Sequence, residues 1–198
     1  METKLKLITA AAADTVTLTE AKAHLRVDFS TDDTLITTLI KVATEYCETR
    51  LARALITQTW EQYLNQFPID SNIFEVKLPI LQTLTSIKYY DSANVLQTWN
   101  ASNYEVDAIS EPAKVRLAAG KSFPGTYDRL NAVIIKFNAG YGTASTNIPE
   151  TIRQAIKLLI SHFYENREGI NTIGQYMDLP IPKAVDLLLN SFSVRQQF

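Results

Sequence analysis

A few groups of residues in this 198-residue chain have types and spacings that could carry chemistry. Gly120-Lys121-Ser122 has the form in which a phosphate-binding loop ends, where glycines admit the phosphate and a lysine neutralises it. The full pattern needs glycine at position 115, where Val115 stands, and must open a helix, whereas Phe123-Pro-Gly125 follows. The triplet therefore reads as a turn between strands. His162 and Glu165 are three apart and can share a helix face, as metal ligands do. With His24 the only other histidine and Cys47 the only cysteine, the ligand set falls short of a zinc or iron site. Cys47 with His24 or His162 would make a nucleophile and its base, but Cys47 falls within an apolar stripe, where a thiol packs as an inert small hydrophobe. The acid pairs Asp32/Asp33 and Glu165/Glu168 lie at helix ends, where capping and solvation account for them without acid–base work. Asn100-Ala-Ser102 is a glycosylation sequon that matters only in a secreted protein. No catalytic, cofactor or metal site is expected.

Composition narrows the class further. With 46% hydrophobic and 20% charged residues the chain reads as a soluble globular protein with a real core. A net charge of −2 and a pI near 5.7 argue against a dedicated nucleic-acid binder, so any contact with DNA is expected to be local. One cysteine forms no internal disulfide, which makes a reducing cytoplasm the default. Lys4 and Lys6 before Leu7-Ile8-Thr9-Ala10 loosely imitate a signal peptide, but the apolar run is short and a well-made helix start follows, so a strand or extended arm is expected. No run approaches the roughly 20 apolar residues needed to span a bilayer.

The elements follow from periodicity and punctuation. The most complete helix signal runs from Asn147 to Glu168: Asn147 as cap, Pro149 in the first turn, Glu150 at the positive end of the dipole, and Ile152, Ala155, Ile156, Leu159, Ile160 and Phe163 on one face. Thr17-Leu-Thr-Glu20 has the form of a capping box and predicts a short helix near 18–27. Thr31 or Asp32 then caps a longer helix with Leu35, Leu39, Val42, Ala43, Tyr46, Cys47, Leu51 and Leu55 in its stripe. From Thr57 the period becomes two, and segments near 59–67, 74–78, 84–90, 95–99, 104–106, 115–117 and 131–137 read as strands. Asp91-Ser-Ala-Asn94 is short enough to close an antiparallel hairpin. A last helix, started by Pro182, carries Val185, Leu188, Leu189 and Phe192, and needs a surface on its own chain or a neighbour. The expected fold is α+β: a helical bundle of residues 1–56 and 143–198, N-terminal helices packing with C-terminal ones, with an antiparallel β-rich block of residues 57–142 inserted between them.

Several of these segments together resemble a known group. They are Leu5-Lys-Leu-Ile8, Val16-Thr-Leu-Thr-Glu-Ala-Lys-Ala-His-Leu-Arg-Val-Asp28, the Asp32-Asp-Thr-Leu35 helix ending in Arg50-Leu-Ala-Arg-Ala-Leu55, Phe137-Asn-Ala-Gly-Tyr-Gly142, Ile148-Pro with Ile152-Arg-Gln-Ala-Ile156, and Tyr164-Glu-Asn-Arg-Glu168. The pattern is similar to the head–tail connector proteins of tailed bacteriophages and prophages, head-completion adaptors also described as possible DNA-packaging proteins. The resemblance implies a structural, non-enzymatic protein without a cofactor that assembles as a ring of about twelve copies on the portal. It would extend the DNA channel and join capsid to tail. Its partners would be copies of itself, the portal protein, a stopper or tail-completion protein, and DNA passing without sequence-specific binding, with no membrane. It would reside in the virion, and in the host cytoplasm during assembly. A ring needs heterologous contacts, and the candidates are Leu35, Leu39, Tyr46 and Arg50 on one helix and Arg153 and Lys157 on another. The C-terminal segment, about Gly174–Phe198, would reach the portal with Leu188, Leu189, Phe192 and Arg195. The alternatives are a DNA-binding packaging accessory akin to a small terminase, with Arg153, Lys157 and Arg167 as a sparse recognition helix, and a small hydrolase using His162, Glu165 or Cys47.

Overall fold

The computed structural model describes residues 3–166 and 181–193, and the chain divides into two compact units. One comprises residues 1–12 and 57–141, the other residues 13–56 and 142–198. The N-terminal residues thus join the β-rich unit, whereas the bundle expected from the sequence took in residues 1–56. The reason is pairing: Thr3–Thr9 (β1) is hydrogen-bonded antiparallel to Gln58–Leu64 (β2), and a strand satisfies its backbone only beside another strand.

The sheet unit holds two antiparallel sheets. The first has five strands in the order β1, β2, β8 (Val133–Ala139), β4 (Leu81–Tyr90) and β5 (Leu96–Trp99). The second has three, in the order β3 (Ile73–Val76), β7 (Ala113–Leu117) and β6 (Tyr104–Asp107). Alternation in β8 decides the core: Val133, Ile135, Phe137 and Ala139 are buried, while Ile134, Lys136 and Asn138 face the other way. The β4–β5 hairpin turns at Asp91–Asn94, as its sequence predicts, with Asn94 at φ 60° and the Asp91 carboxylate accepting from the Ala93 and Val95 N–H groups. Phe67 centres an aromatic cluster with Phe74, Tyr89, Trp99 and Phe123, its ring stacked on Phe123 at 4.9 Å. On the opposite surface of the three-stranded sheet, Arg116 pairs with Glu105 at 2.5 Å and Lys77 with Glu75 at 2.7 Å, as a solvated surface should.

Gln62 ties the two sheets together. Its side chain, 1% exposed, donates to the Glu75 carbonyl at 2.8 Å and accepts from the Lys77 N–H at 2.8 Å. Both groups belong to β3 or its end, and β3 is an edge strand whose outward backbone groups lack a strand partner.

The helical unit contains α1 (Leu18–Leu25), α2 (Asp33–Leu51), α3 (Glu150–Glu165) and α4 (Lys183–Asn190). The capping box at α1 forms as its sequence predicts, with Glu20 N–H to Thr17 Oγ1 at 3.2 Å and Thr17 N–H to Glu20 Oε2 at 2.9 Å. At α3 the expected cap moves: Pro149 occupies the N-cap position, and the Asn147 side chain accepts from the Ala144 N–H instead. That places Asn147 against Gly142, where an added Cβ would run into its side chain, which explains glycine at the entry to this unit. Buried side chains of α1 (Ala21), α2 (Ile36, Ile40, Ala43, Cys47), α3 (Ile152, Ala155, Ile156, Leu159, Ile160) and α4 (Val185, Leu189) form the core.

Truncating Gln62 takes the partner from one part-buried carbonyl and one part-buried N–H, so Gln62→Ala is expected to destabilise the sheet unit by about 1–2 kcal/mol. A denaturant titration followed by tryptophan fluorescence would read it; a midpoint unchanged from wild type would show that water replaces the amide at no cost.

Candidate assembly surfaces

The residues that could carry chemistry do not converge. Cys47 lies on the buried face of α2, and burial pushes its thiol up to about 12, which keeps it protonated and unreactive. His162 packs its ring near Phe163 on α3. Gly120, with φ 72°, turns the chain after β7, and Lys121 N–H returns to the Ala118 carbonyl at 3.1 Å; no helix starts there. Asp32 accepts from the Tyr164 hydroxyl at 2.5 Å, and Asp33 pairs with Lys22 at 2.6 Å. Among the described residues no group of three or more His, Cys, Asp and Glu is placed to hold a metal, and no helix is long and apolar enough to cross a membrane.

What the helices do present is surface. The buried stripe of α2 runs through Ile36, Ile40, Ala43, Cys47 and Leu51. Of the positions read from sequence as its stripe, Ala43, Cys47, Leu51 and Leu55 are buried, whereas Leu35, Leu39, Val42 and Tyr46 form a second seam beside it: Leu35, Leu39 and Tyr46 are half-buried and Val42 is 43% exposed. One helix therefore carries two apolar seams, of which the described residues cover one fully and the other in part. Arg50 continues the outer seam and reaches α4, with Nε 3.5 Å from Asp186 and Nη2 3.4 Å from Asn190. Both partners of that ion pair are exposed, so it adds little to stability.

Arg153, a candidate for contact between copies, is turned inward. It is 8% exposed, and its guanidinium bridges the first turns of two helices, pairing with Glu20 of α1 and, at 2.6 Å, with Glu150 of α3; Lys157 also reaches Glu150 at 3.0 Å. A guanidinium buried among two helix starts is an internal tie, because its planar fork can serve two carboxylates at once. Its Nε stays buried without a hydrogen bond. Backbone hydrogen bonding from Thr17 is the chief reason the Glu20 carboxyl titrates below its ordinary range, and the Lys157 ammonium is the chief reason for Glu150.

At the C-terminus, α4 lays Val185 and Leu189 against its own chain. Leu189 is therefore covered, Leu188 and Phe192 are half-buried, and Arg195 lies outside the described residues. The residue sequence reading missed is Leu187, 76% exposed; only the packing of α4 on α3 turns it outward.

Exposed apolar residues on ordered helices, Val42 on α2 and Leu187 on α4, are what an assembly protein presents to its partners. The chain belongs to the phage gp6-like head–tail connector family, whose model matches residues 15–114, about half of the chain, and its role is that of a structural connector. No curated protein matches it. Among solved structures, a chain from the neck of the empty GTA particle computed with C6 symmetry shares 22% identity at a TM-score of 0.79, covering 98% of this chain and 97% of that one. A chain from the virion of the native gene transfer agent particle shares 21% identity at a TM-score of 0.80, with the same coverage. A third, from the neck of the native GTA particle computed with C12 symmetry, has 22% identity and a TM-score of 0.75. These likenesses show the fold.

Arg153→Ala strips both carboxylates of their shared partner and is expected to destabilise the helical unit by about 1 kcal/mol, because Glu20 and Glu150, with side chains 39% and 65% exposed, can be hydrated in its place. Both carboxyls titrate below the ordinary value of 4.5 in the folded chain, so their contribution is present above that pH and is lost as pH falls through the lowered values. Thermal unfolding followed from pH 7 down through the carboxylate range should show wild type losing its advantage over Arg153→Ala; a constant gap would mean that the carboxylates do not act through the guanidinium.

Proposed function

We propose that this chain works as one subunit of a ring on the portal, extending the DNA channel and joining capsid to tail without making or breaking a bond. The observation that carries this reading is the second apolar seam of α2, where among the described residues Val42 stands 43% exposed between the half-buried Leu35, Leu39 and Tyr46. A ring of like copies requires two different patches that fit each other. The seam is one of them, with Arg50 at its end. Lys157, half-buried beside Glu150, stands on the polar side of α3 and serves as a lesser candidate. The family, and the neck and virion origin of the similar chains, support a place at the head–tail interface of the virion; the neck computed with C12 symmetry supports about twelve copies.

The portal contact falls to the C-terminal helix. Leu187 leads it, flanked by Leu188 and Phe192, while Leu189 anchors the helix to α3 from beneath. Stopper or tail-completion protein and passing DNA complete the set of partners, and assembly takes place in the host cytoplasm. Tight retention of DNA would oppose such a conduit, because each phosphate contact adds to the cost of release.

Two substitutions separate these contacts. Val42→Asp places a charge in the open seam and is expected to leave a folded monomer with wild-type thermal stability to within about 0.5 kcal/mol, since the site is exposed. Mixed with cognate portal, it should fail to close rings seen by electron microscopy. Leu187→Asp should also fold, yet lose portal docking. Normal rings from Val42→Asp would sink the seam assignment, and normal docking of Leu187→Asp would sink that of α4.

A further inference from the structure

Both sheets of the β-rich unit are open, which leaves four edge strands, β1 and β5 on one sheet and β3 and β6 on the other. β3 is closed by side chains: Gln62 serves the Glu75 carbonyl and the Lys77 N–H, and Ser71 serves both backbone groups of Ile73. β1 and β6 are exposed along nearly their whole length instead. In β1, register puts Leu5 in line with Gln62 and Ile135, and Leu7 in line with Trp60 and Phe137. Each leucine thus ends a row of the sheet's buried face, yet they stay 39% and 43% exposed. In β6, Val106 ends the row of Val115 and Phe74 and is 40% exposed. Both edges leave an apolar row unfinished. On the other face β1 carries Lys4 and Lys6, and β6 carries Glu105 and Asp107 at the same two-residue spacing.

We propose that β1 of one copy adds antiparallel to β6 of another, joining their sheet units by backbone hydrogen bonds. One register sets Lys4 opposite Asp107, Leu5 opposite Val106, Lys6 opposite Glu105 and Leu7 opposite Tyr104. Opposite charges then meet on one face and apolar side chains on the other. A slip of one residue sets lysine against valine and leucine against a carboxylate, and loses every pair. The same charges reject the symmetric alternatives, because β1 against a second β1 faces lysine with lysine, and β6 against a second β6 faces acid with acid. β5, Leu96-Gln-Thr-Trp99, carries no charge and selects neither. Lysine on an edge also deters pairing. That role calls for no acidic strand of matching period, and Leu5 and Leu7 between and beside the lysines work against it. Glu105 holds Arg116 at 2.5 Å within its own sheet, yet its side chain stays 56% exposed, which leaves carboxylate surface for Lys6. The contact is head-to-tail, so each copy in a pair still offers one free strand. It rests on the part of the proposed function in which copies of the chain meet, and adds an interface made by strands and not by α2.

The test is disulfide trapping in the full-length protein, with Leu5→Cys in one variant and Val106→Cys in another. Residues directly opposite in an antiparallel pair bring their Cβ atoms to about 4.5–5.5 Å, from which a small adjustment makes a bridge. Cys47 is buried and does not compete. Mixed and oxidised, free or with cognate portal, the two variants should form the mixed disulfide at least about fivefold more than either forms with itself. Lys6→Glu on the Leu5→Cys chain should cut that yield about fivefold, and Glu105→Lys on the Val106→Cys chain should restore it. Restoration separates a charge contact from misfolding, since a damaged edge is not repaired by changing its partner. Absence of the mixed disulfide, disulfides between like variants in equal yield, or a yield that ignores Lys6→Glu would each overturn the proposal, as would a loss that Glu105→Lys does not repair. Rings on the portal without the mixed disulfide would remove this contact and leave the ring reading intact; the mixed disulfide without rings would do the reverse.

Discussion

Burial of one face of α3 is the constraint on which the helical unit depends, because α1, α2 and α4 all pack on it. Ile152, Ala155, Ile156, Leu159 and Ile160 are fully covered, and each large aliphatic among them contributes about 1.5–3 kcal/mol that no single neighbour could supply. Short helices such as α1 and α4, eight residues each, are not stable alone in water. They exist here because α3 offers them a surface. Arg153 adds direction to this apolar contact: burial alone would let α1 slide, whereas a guanidinium shared between Glu20 and Glu150 holds the two helix starts in one register.

The sheet unit solves a different problem. Its two sheets have aromatic cores around Phe67 and edges that need partners, and polar side chains close those edges: Gln62 on β3, and Ser71, which both donates to and accepts from Ile73. A polar side chain can be buried in this way only when each of its hydrogen-bonding groups is met. The result is a unit with a closed interior and a polar, lysine-bearing outer surface, tethered to the helical unit by three chain passages, near residues 12, 56 and 141.

For a connector, the consequence is a division between what holds the subunit together and what it offers to others. Cys47, Arg153 and Leu189 are committed inward, and the groups that could have been catalytic are spread over helices and turns with separate partners. The outward commitments are apolar residues in ordered helices: Val42 on α2 and Leu187 on α4. An exposed apolar residue on a rigid element costs little ordering on association, which favours assembly once copies are brought together.

Much of this was legible in the chain. Strand segments were marked by the period of two, the hairpin by Asp91–Asn94, the α1 start by its capping box and α4 by Pro182, since these are local signals that depend on a few neighbouring residues. Resemblance in the same segments pointed to the connector family. Other features were not legible because they depend on distant partners: β1 belongs with the sheet only because β2 lies beside it, Asn147 turns from α3 to Ala144, and Arg153 is drawn inside by Glu20, 133 residues away. The sequence by itself determined that α2 would be apolar along one side and that a β-rich block would interrupt the helices. Only the tertiary structure decided which of two adjacent seams on α2, Leu35/Leu39/Val42/Tyr46 or Ile36/Ile40/Ala43/Cys47, would be inside, because they differ by one residue, about 100° of helix rotation, and their composition is alike until α3 covers one of them.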